Sequence, residues 1–284
     1  MKKVVIVGSN GLLGSSLLKV LADKYEVTTI TRKSEHSDYQ VDMTSLNLSQ
    51  SVLSDISPDF IINLAALTNV DTCECDINLA YLVNTKIAEN IACFSKKHNT
   101  FIIHISTDHL YNQNNATEQD VEICNSYAMT KYCAERSYNP NNSIVLRTNF
   151  FGKSHSESSL GLCNTIYKQA QEGIELKLFN DVYFSPLSII TLCDVINVCL
   201  RERIPGVFNV GSKNGMSKEQ FLRYFLIKAG VENLKYKSIS VDDVCLKTPR
   251  PKDMRMNVSL FERTYKYNLP KLMIEIENVA NEFK

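Results

Sequence analysis

The amino-acid sequence predicts an α/β protein built on a Rossmann-type, doubly wound parallel sheet, with a smaller α/β region towards the C-terminus. Three features support this prediction. Short apolar runs alternate with helical patterns through the first half of the chain, a glycine-spaced turn follows the first run, and the rhythm changes near residue 150. Alternating strands and helices are typical of βαβ units, whose strands pair in parallel and place ligands beyond their carboxyl ends.

The first predicted strand, residues 3–7, is apolar along its length, which is typical of a strand buried on both faces of a parallel sheet. Gly8, Gly11 and Gly14 follow at G-x-x-G-x-x-G spacing, and a helix is predicted over residues 12–22. Gly8 permits a tight turn, Gly11 lets the backbone approach a pyrophosphate, and Gly14 lets the helix pack against the strand. A phosphate at this helix N-terminus would meet free N–H groups and the positive end of the helix dipole. The turn therefore predicts a dinucleotide site, in a variant of the usual spacing.

The second predicted strand, residues 26–31, is followed by Arg32 and Lys33. An acidic residue here would bind the ribose 2′-hydroxyl of NAD, whereas a cation can pair with the 2′-phosphate of NADP. We therefore expect NADP in preference to NAD; the alternative is that both cations are simply solvated. Asp42 is placed to bind the adenine amino group or, alternatively, to cap a turn.

The next elements continue the alternation of strands and helices. In chain order they are helix 49–56, strand 60–64, helix 78–98, strand 100–105, a long helix that includes residues 127–131, and strand 143–147. Thr107 comes just after the carboxyl end of a predicted strand, where ligands of such sheets bind. His104 lies within that strand and is expected to be a core residue rather than a base.

Tyr127 and Lys131 stand four residues apart and so share one face of the predicted helix. A phenol has a reference pKa of about 10, and a nearby ammonium lowers that pKa towards the range useful for proton transfer. In a ketone reduction, nicotinamide gives hydride to the carbonyl carbon while Tyr127 gives a proton to the oxygen, which the Thr107 hydroxyl can hold. We therefore predict Thr107, Tyr127 and Lys131 as catalytic residues, with Lys131 also binding the nicotinamide ribose.

Beyond residue 150 the sequence predicts a Ser- and His-rich loop over 153–160 and helices over 162–171 and 186–201. A short strand over 207–210 is expected to return to the core. Ser217 is then followed by Gln220 at the spacing of a capping box, which predicts the start of another helix.

Residues 247–256 are expected to form an ordered loop. Arg250 and Arg255 within it could pair with the diphosphate of a substrate, or the loop could be a plain surface loop. The domain prediction is an NAD(P)-binding Rossmann domain over residues 1–150 and a substrate-binding region over 151–284, with part of 186–210 returning to the Rossmann core.

Taken together, these motifs resemble the extended short-chain dehydrogenase/reductase superfamily and, within it, the dTDP-4-dehydrorhamnose reductase family. The resemblance covers nearly the whole chain. It rests on segments 8–14, 63–71, 106–108, 127–131, 147–148, 180–181 with 185–186, and 250–251 with 255–257. It implies NAD(P)H-dependent reduction of a nucleotide-linked 4-keto-6-deoxy sugar, with Ala65 and Ala66 lying along the cofactor.

The resemblance and the motifs together give two sets of expected binding residues. The cofactor is expected to contact Gly8, Asn10, Gly11, Leu12, Leu13, Gly14, Arg32, Asp42, Met43, Leu64, Ala65, Ala66, Tyr127 and Lys131. The substrate is expected to contact Thr107, Asp108, Asn149, Phe150 and Arg250.

The chain departs from the family pattern at several positions. His109 stands where an aromatic residue commonly follows Ser-Thr-Asp, Asn149 and Phe150 stand where the family has a Trp-containing segment, and Ala128 stands where Gly is usual. These departures leave open which sugar is reduced and whether its nucleotide is dTDP, UDP, GDP or CDP.

Composition limits the other possible classes of partner. The 284 residues carry 31 Lys and Arg and 31 Asp and Glu, so no global field favours nucleic acid or a membrane. No apolar run approaches the roughly 18 residues needed to span a bilayer, and the N-terminus lacks the apolar stretch of a signal peptide. The nine cysteines lack paired metal-ligand spacing, so we expect no metal, and thiols such as Cys93, Cys193 and Cys199 buried in a reducing cytoplasm.

Two other functions remain open at this point. A nucleotide-sugar epimerase or dehydratase of the same superfamily would share the fold, although a dehydratase would need an acidic residue where His109 stands. A non-catalytic NADP-binding regulatory subunit, like that of methionine adenosyltransferase, would also share it. Related reductases often pair through helices, so a homodimer is the oligomer that the resemblance implies.

Overall fold

The computed structural model describes residues 1–33, 35–154 and 161–284, so most of the predicted loop over 153–160 lies outside the described residues. The strands are β1 (Lys3–Val7), β2 (Glu26–Thr31), β3 (Tyr39–Gln40), β4 (Phe60–Asn63), β5 (Phe101–Ile105), β6 (Ser143–Thr148), β7 (Phe150–Phe151), β8 (Leu176–Phe179), β9 (Tyr183–Phe184), β10 (Leu187–Ser188), β11 (Gly206–Val210), β12 (Met216–Ser217), β13 (Tyr236–Ile239) and β14 (Asp253–Met254). The α-helices are α1 (Leu12–Leu21), α2 (Leu46–Ile56), α3 (Val70–Cys75), α4 (Ile77–Ala80), α5 (Ile87–His98), α6 (Ser126–Ser137), α7 (Leu162–Gln171), α8 (Ile189–Glu202), α9 (Lys218–Lys228), α10 (Ser259–Tyr265) and α11 (Leu272–Asn281).

Seven strands form the central sheet in the order β11-β6-β5-β4-β1-β2-β3. The pairings of β1 with β2 and β4, of β5 with β4 and β6, and of β2 with β3 are all parallel. The chain order reverses between β1 and β4, and such a switch point is where open α/β sheets bind ligands. The predicted doubly wound α/β fold is confirmed.

The N-terminal ends of two helices are fixed by side-chain caps. Asn125 accepts from the Ala128 N–H at the start of α6, and Ser217 with Gln220 forms the predicted capping box of α9. These caps satisfy backbone donors that a helix N-terminus leaves without intrahelical partners. They therefore fix where α6 and α9 begin along the chain.

The described chain divides into two compact units. The first comprises 1–107, 123–147 and 193–208, and its core includes the buried faces of β1, β4 and β5. The second comprises 108–122, 148–192 and 209–284 with the described gaps. Its core is aromatic at the centre: the Phe221 ring lies edge-on to Phe151 and Phe184, with centroids 4.8 and 5.0 Å apart. The roles assigned to the two halves from the sequence stay predictions.

Two sequence-based helix predictions need correction. The helix predicted over 186–201 begins only at Ile189, because Leu187 and Ser188 pair in parallel with Phe150 and Phe151. The helix predicted over 78–98 is interrupted by a π-helical turn, Tyr81–Lys86. As expected, Cys193 and Cys199 are buried thiols, whereas Cys93 is half-buried. Within the part of the chain that the structure describes, no helix is long and apolar enough to cross a membrane.

Candidate active site

A cleft of about 420 Å³ opens at the carboxyl ends of β1 and β4, where the strand order reverses. Its walls come from the glycine turn, the end of β2 and the segment after β4. The predicted cofactor residues that line it are Gly8, Asn10, Gly11, Arg32, Asp42, Met43, Leu64, Ala65 and Ala66. Residues from distant parts of the sequence are thus brought into one groove.

The three glycines of the turn have different structural roles. Gly8 has φ +83°, and a Cβ there would lie 2.8 Å from the Ala65 nitrogen, so a side chain is excluded. A Cβ on Gly14 would lie 2.4 Å from the Ser9 carbonyl oxygen, so Gly14 allows α1 to approach the turn. A Cβ on Gly11 would meet only the Gly8 carbonyl oxygen, at 3.7 Å. Gly11 therefore has open space beside it at the N-terminus of α1, as a bound pyrophosphate requires.

Other predicted cofactor residues do not line the cleft. Leu13 is 4% exposed and packs in the core behind the turn, while Leu12 is half-buried at the first position of α1. Tyr127 and Lys131 lie on α6 outside the groove lining. Sequence analysis missed Val41, Leu79 and Val83, which line the groove from short or helical segments whose position depends on tertiary packing.

Charged side chains flank the groove where β2 ends. Arg32 and Lys33 both line it and are exposed, so both are accessible to an anionic ligand. Asp42 accepts hydrogen bonds from the Thr44 hydroxyl at 2.7 Å and the Thr44 N–H at 3.0 Å. These bonds, and to a lesser degree the Arg32 charge, lower the pKa of Asp42. Asp42 therefore does cap a turn, and its contact with adenine stays a prediction.

Tyr127 sits in the first turn of α6 and is 8% exposed. Its ring belongs to a small apolar cluster with Val70, Cys73 and Ala80. The start of α6 is also held from outside, because the Glu74 carboxylate accepts from the Ser126 N–H at 2.9 Å. Packing and capping together hold this phenol in one place.

Lys131 lies one turn further along the same face of α6 and is only 2% exposed. Its Nζ donates to the Ile105 carbonyl oxygen at 2.7 Å and lies 3.5 Å from His104 Nε2. Burial lowers the pKa of Lys131 to about 8, and the Glu135 carboxylate opposes that shift. A cation close to a phenol favours the phenolate and so makes the phenol a better acid, and Lys131 shares a helix face with Tyr127.

Thr107 follows β5 and is 3% exposed. The preceding residue, Ser106, donates through its hydroxyl to Glu135 on α6 at 2.5 Å. The segment that carries Thr107 is therefore tied directly to the helix that carries Tyr127 and Lys131.

The predicted substrate residues other than Thr107 lie in the second unit. Asn149 Nδ2 donates to Asp108 Oδ2 at 2.9 Å, and Phe150 is half-buried in β7. His109 is half-buried, and its desolvation together with the charges of Lys218 and Arg250 lowers its pKa to about 3. Sequence analysis missed Lys218; its position as the first helical residue after the Ser217 cap was the available signal.

Arg255, the other arginine of the 247–256 loop, is held by neighbouring side chains. Its guanidinium pairs with Asp253, with Nε 2.9 Å from Oδ1 and Nη2 2.5 Å from Oδ2, and lies over the Tyr183 ring at 4.5 Å. Arg255 is therefore engaged by Asp253 and Tyr183, and the expected contacts of Arg250 and Arg255 with a diphosphate stay predictions.

A glycine turn at the switch point of a doubly wound sheet, together with a Tyr–Lys helix face, defines a short-chain dehydrogenase/reductase, an NAD(P)-dependent oxidoreductase. The chain belongs to the RmlD substrate binding domain family, whose model it matches over residues 1–284. The family resemblance inferred from the sequence is thereby confirmed.

Known proteins of this type are similar along most of the chain. The spore coat polysaccharide biosynthesis protein SpsK of Bacillus subtilis (strain 168) is 27% identical over 258 residues, which is 88% of this chain and 87% of that protein. The dTDP-4-dehydrorhamnose reductase of Shigella flexneri is 25% identical over 297 residues, 98% of this chain and 97% of that protein. A crystal structure of dTDP-4-dehydrorhamnose reductase from Bacillus anthracis str. Ames in complex with NADP has a TM-score of 0.90 at 24% identity, covering 99% of this chain and 100% of that one.

Proposed function

We propose that this protein catalyses NADPH-dependent reduction of a nucleotide-linked 4-keto-6-deoxy sugar. The observation that carries the proposal is the buried ammonium of Lys131 on the same helix face as Tyr127, with Thr107 tied to that helix through Ser106 and Glu135. The names of the relatives support the substrate class, since the Shigella flexneri protein is a dTDP-4-dehydrorhamnose reductase.

The cofactor is proposed to bind in the cleft at the end of β1. Gly8 and Gly11 would face its pyrophosphate, Ala65 and Ala66 would lie along it, and Arg32 would pair with the 2′-phosphate. The exposed cations beside the groove support NADPH over NADH, as does NADP in the Bacillus anthracis structure. When bound, the reduced nicotinamide supplies hydride to the carbonyl carbon.

The chain's own residues would manage the proton and the carbonyl. Thr107 donates a hydrogen bond to the carbonyl oxygen and so orients it. Tyr127 transfers its phenolic proton to that oxygen as negative charge develops there. Lys131, charged below about pH 8, stabilises the resulting phenolate until it regains a proton from solvent. Asn149 and Phe150 are proposed to contact the substrate and Arg250 its diphosphate, as expected from the sequence.

The test is NADPH and NADH oxidation at 340 nm with a panel of nucleotide 4-keto-6-deoxy sugars. Wild type is compared with Tyr127→Phe and with Tyr132→Phe, which removes a hydroxyl from the same helix outside the proposed site. We expect Tyr127→Phe to lose about 10²–10⁴-fold in kcat, as general acid–base catalysis of this kind contributes, and Tyr132→Phe to stay near wild type. Turnover that survives in Tyr127→Phe would remove the proposed acid. Absence of turnover by wild type across the panel, with NADP bound, would favour an epimerase or a regulatory subunit.

A further inference from the structure

A chain of buried polar groups lies beneath the face of α6 that carries Lys131. Lys131 Nζ lies 3.5 Å from His104 Nε2, and His104 Nδ1 lies 3.3 Å from Tyr138 Oη. The His104 and Tyr138 rings have centroids 5.1 Å apart. Lys131, His104 and Tyr138 are 2%, 0% and 6% exposed. Both ring nitrogens of a fully buried histidine thus face polar partners.

Beyond Tyr138, this series of buried polar groups continues to the proposed cofactor cleft. The Ala65 N–H donates to Asn63 Oδ1 at 3.1 Å, which fixes the orientation of the Asn63 amide. Its Nδ2 therefore faces Tyr138 and donates to Oη at 3.0 Å. Asn63 is 1% exposed at the end of β4, and Ala65 lines the cleft. A continuous path of polar contacts thus joins Lys131 to the segment after β4, which lines the proposed cofactor cleft.

A space-filling role does not explain this arrangement. Burying an imidazole costs free energy unless its nitrogens find partners, and an apolar side chain would fill the same volume without that cost. Since His104 has a partner at each nitrogen, its hydrogen-bonding capacity is what the site uses. Desolvation and the charge of Lys131 hold the pKa of His104 well below its usual value, so the ring stays neutral and one nitrogen is always an acceptor.

We propose that His104 is a positioning residue for Lys131, and that the tautomer of its ring follows the charge on that lysine. An ammonium at Lys131 donates to Nε2, so the ring proton lies on Nδ1 and is donated to Tyr138 Oη. A neutral amine at Lys131 accepts from Nε2–H, and Tyr138 then donates to Nδ1. The imidazole carries one proton in both states, and the single proton lost between them leaves from Lys131. His104 thereby holds the amine in one place through both charge states.

This inference rests on the proposed role of Lys131 in the reductase reaction and adds the group that supports it. The titratable and charged groups around Lys131 lie on one helix, on two strands and just after that helix. They are Tyr127 and Glu135 on α6, His104 on β5, Arg147 on β6, and Tyr138 directly after α6. Glu135 is engaged by Arg147 and Ser106. His104 is therefore the neutral group in this set whose proton can shift between two nitrogens.

The first test needs no substrate. Long-range ¹H–¹⁵N NMR spectra of the histidine rings are recorded on the full chain from pH 6 to 10, with His104 assigned by the signals lost in His104→Gln. We expect Nδ1 and Nε2 of His104 to exchange protonated and unprotonated character near pH 8, and this exchange to vanish in Lys131→Met. Ring signals of His104 that stay constant over this range, or that change identically in Lys131→Met, would overturn the proposal.

The second test is the pH profile of kcat for NADPH oxidation. In this profile, kcat is expected to fall at high pH as Lys131 loses its proton. His104→Phe removes a hydrogen-bond acceptor from the Lys131 ammonium, so the lysine pKa, and with it the fall of kcat at high pH, should move about one pH unit lower. His104→Gln, which keeps an acceptor, should restore much of the shift. Ile103→Val, a change on the same strand and away from Lys131, should leave the pH at which kcat declines unchanged.

The outcomes separate this proposal from the proposed function. If kcat of His104→Phe falls equally at every pH, and the pH at which kcat declines on the basic side is unchanged, the residue is merely structural and the proposal is overturned. A tautomer change near pH 8 in a wild-type protein without turnover would support the His104–Lys131 pairing and count against the reductase assignment instead.

Discussion

Glu135 and Arg147 form a buried bidentate ion pair, with Arg147 Nη2 2.7 Å from Oε2 and Nε 3.0 Å from Oε1. The Arg147 and Glu135 side chains are 4% and 2% exposed. The pair joins the end of β6 to α6, one turn beyond Lys131, while Ser106 reaches the same carboxylate from the segment before Thr107. The proposed catalytic residues, which come from separate elements, thus share one anchor.

Breaking that anchor should destabilise the fold strongly. Arg147→Met leaves the Glu135 carboxylate buried without its counter-ion, which costs about 3–5 kcal/mol in comparable buried pairs. Urea denaturation should show this loss, and the double variant Glu135→Leu/Arg147→Met should recover much of it. A loss below about 1 kcal/mol, the worth of an exposed pair, would contradict the assignment of a buried anchor.

The glycine turn makes two separable predictions. Gly14→Ala places a Cβ 2.4 Å from the Ser9 carbonyl oxygen, so it should lower the melting temperature and abolish NADP binding. Gly11→Ala meets ordinary contact only, at 3.7 Å, so it should leave the melting temperature unchanged. Its methyl group would nevertheless occupy space beside the proposed pyrophosphate and weaken NADP binding by at least about tenfold. Equal effects of both variants on melting would refute this division of roles.

The burial of Lys131 should appear in the pH dependence of stability. Its pKa falls from 10.5 to about 8 on folding, so below pH 8 the lysine is charged in both states and burial costs the native state about 3 kcal/mol. Between pH 8 and 10.5 the unfolded chain binds more protons, and this cost disappears as pH rises. The stability of Lys131→Met relative to wild type should therefore fall by about 3 kcal/mol between pH 7 and 10.5. Denaturation of Lys97→Met, an exposed-lysine control, should show no such trend.

Cofactor preference should depend on Arg32. Arg32→Ala should raise the Kd of NADP about tenfold, because an exposed cation is lost from beside the 2′-phosphate, and should leave the Kd of NAD unchanged. Isothermal titration with the two dinucleotides measures both constants on the same protein. An equal loss of affinity for both would show that Arg32 does not read the 2′-phosphate.

The sequence predicted best those features that depend on local pattern. The bounds of β1 and β2 match the predicted strands, and the capping box at Ser217 is where its spacing placed it. Short strands such as β3 and β10 were missed because two-residue strands are defined by their partners rather than by their own pattern. The π-helical turn at 81–86 likewise has no periodic signature distinct from a helix.

The same limit applies to the site. Gly8, Tyr127 and Lys131 could be found because each belongs to a motif of fixed spacing. His104 and Tyr138 belong to no motif. Asn63 opens the family-like segment 63–71, but 75 residues separate it from Tyr138 and no pattern predicts that the two meet. Their contact exists only because β4, β5 and α6 pack together, so it becomes visible only in the folded chain.

The most direct test of the proposed reaction follows hydride itself. NADPH carrying deuterium at the transferable C4 position is incubated with the enzyme and a nucleotide 4-keto-6-deoxy sugar, and the product is examined by NMR. We predict one deuterium per turnover, bound to the carbon of the newly formed alcohol. Sugar product without deuterium, or isomerised sugar with the label still on the cofactor, would contradict the reductase assignment.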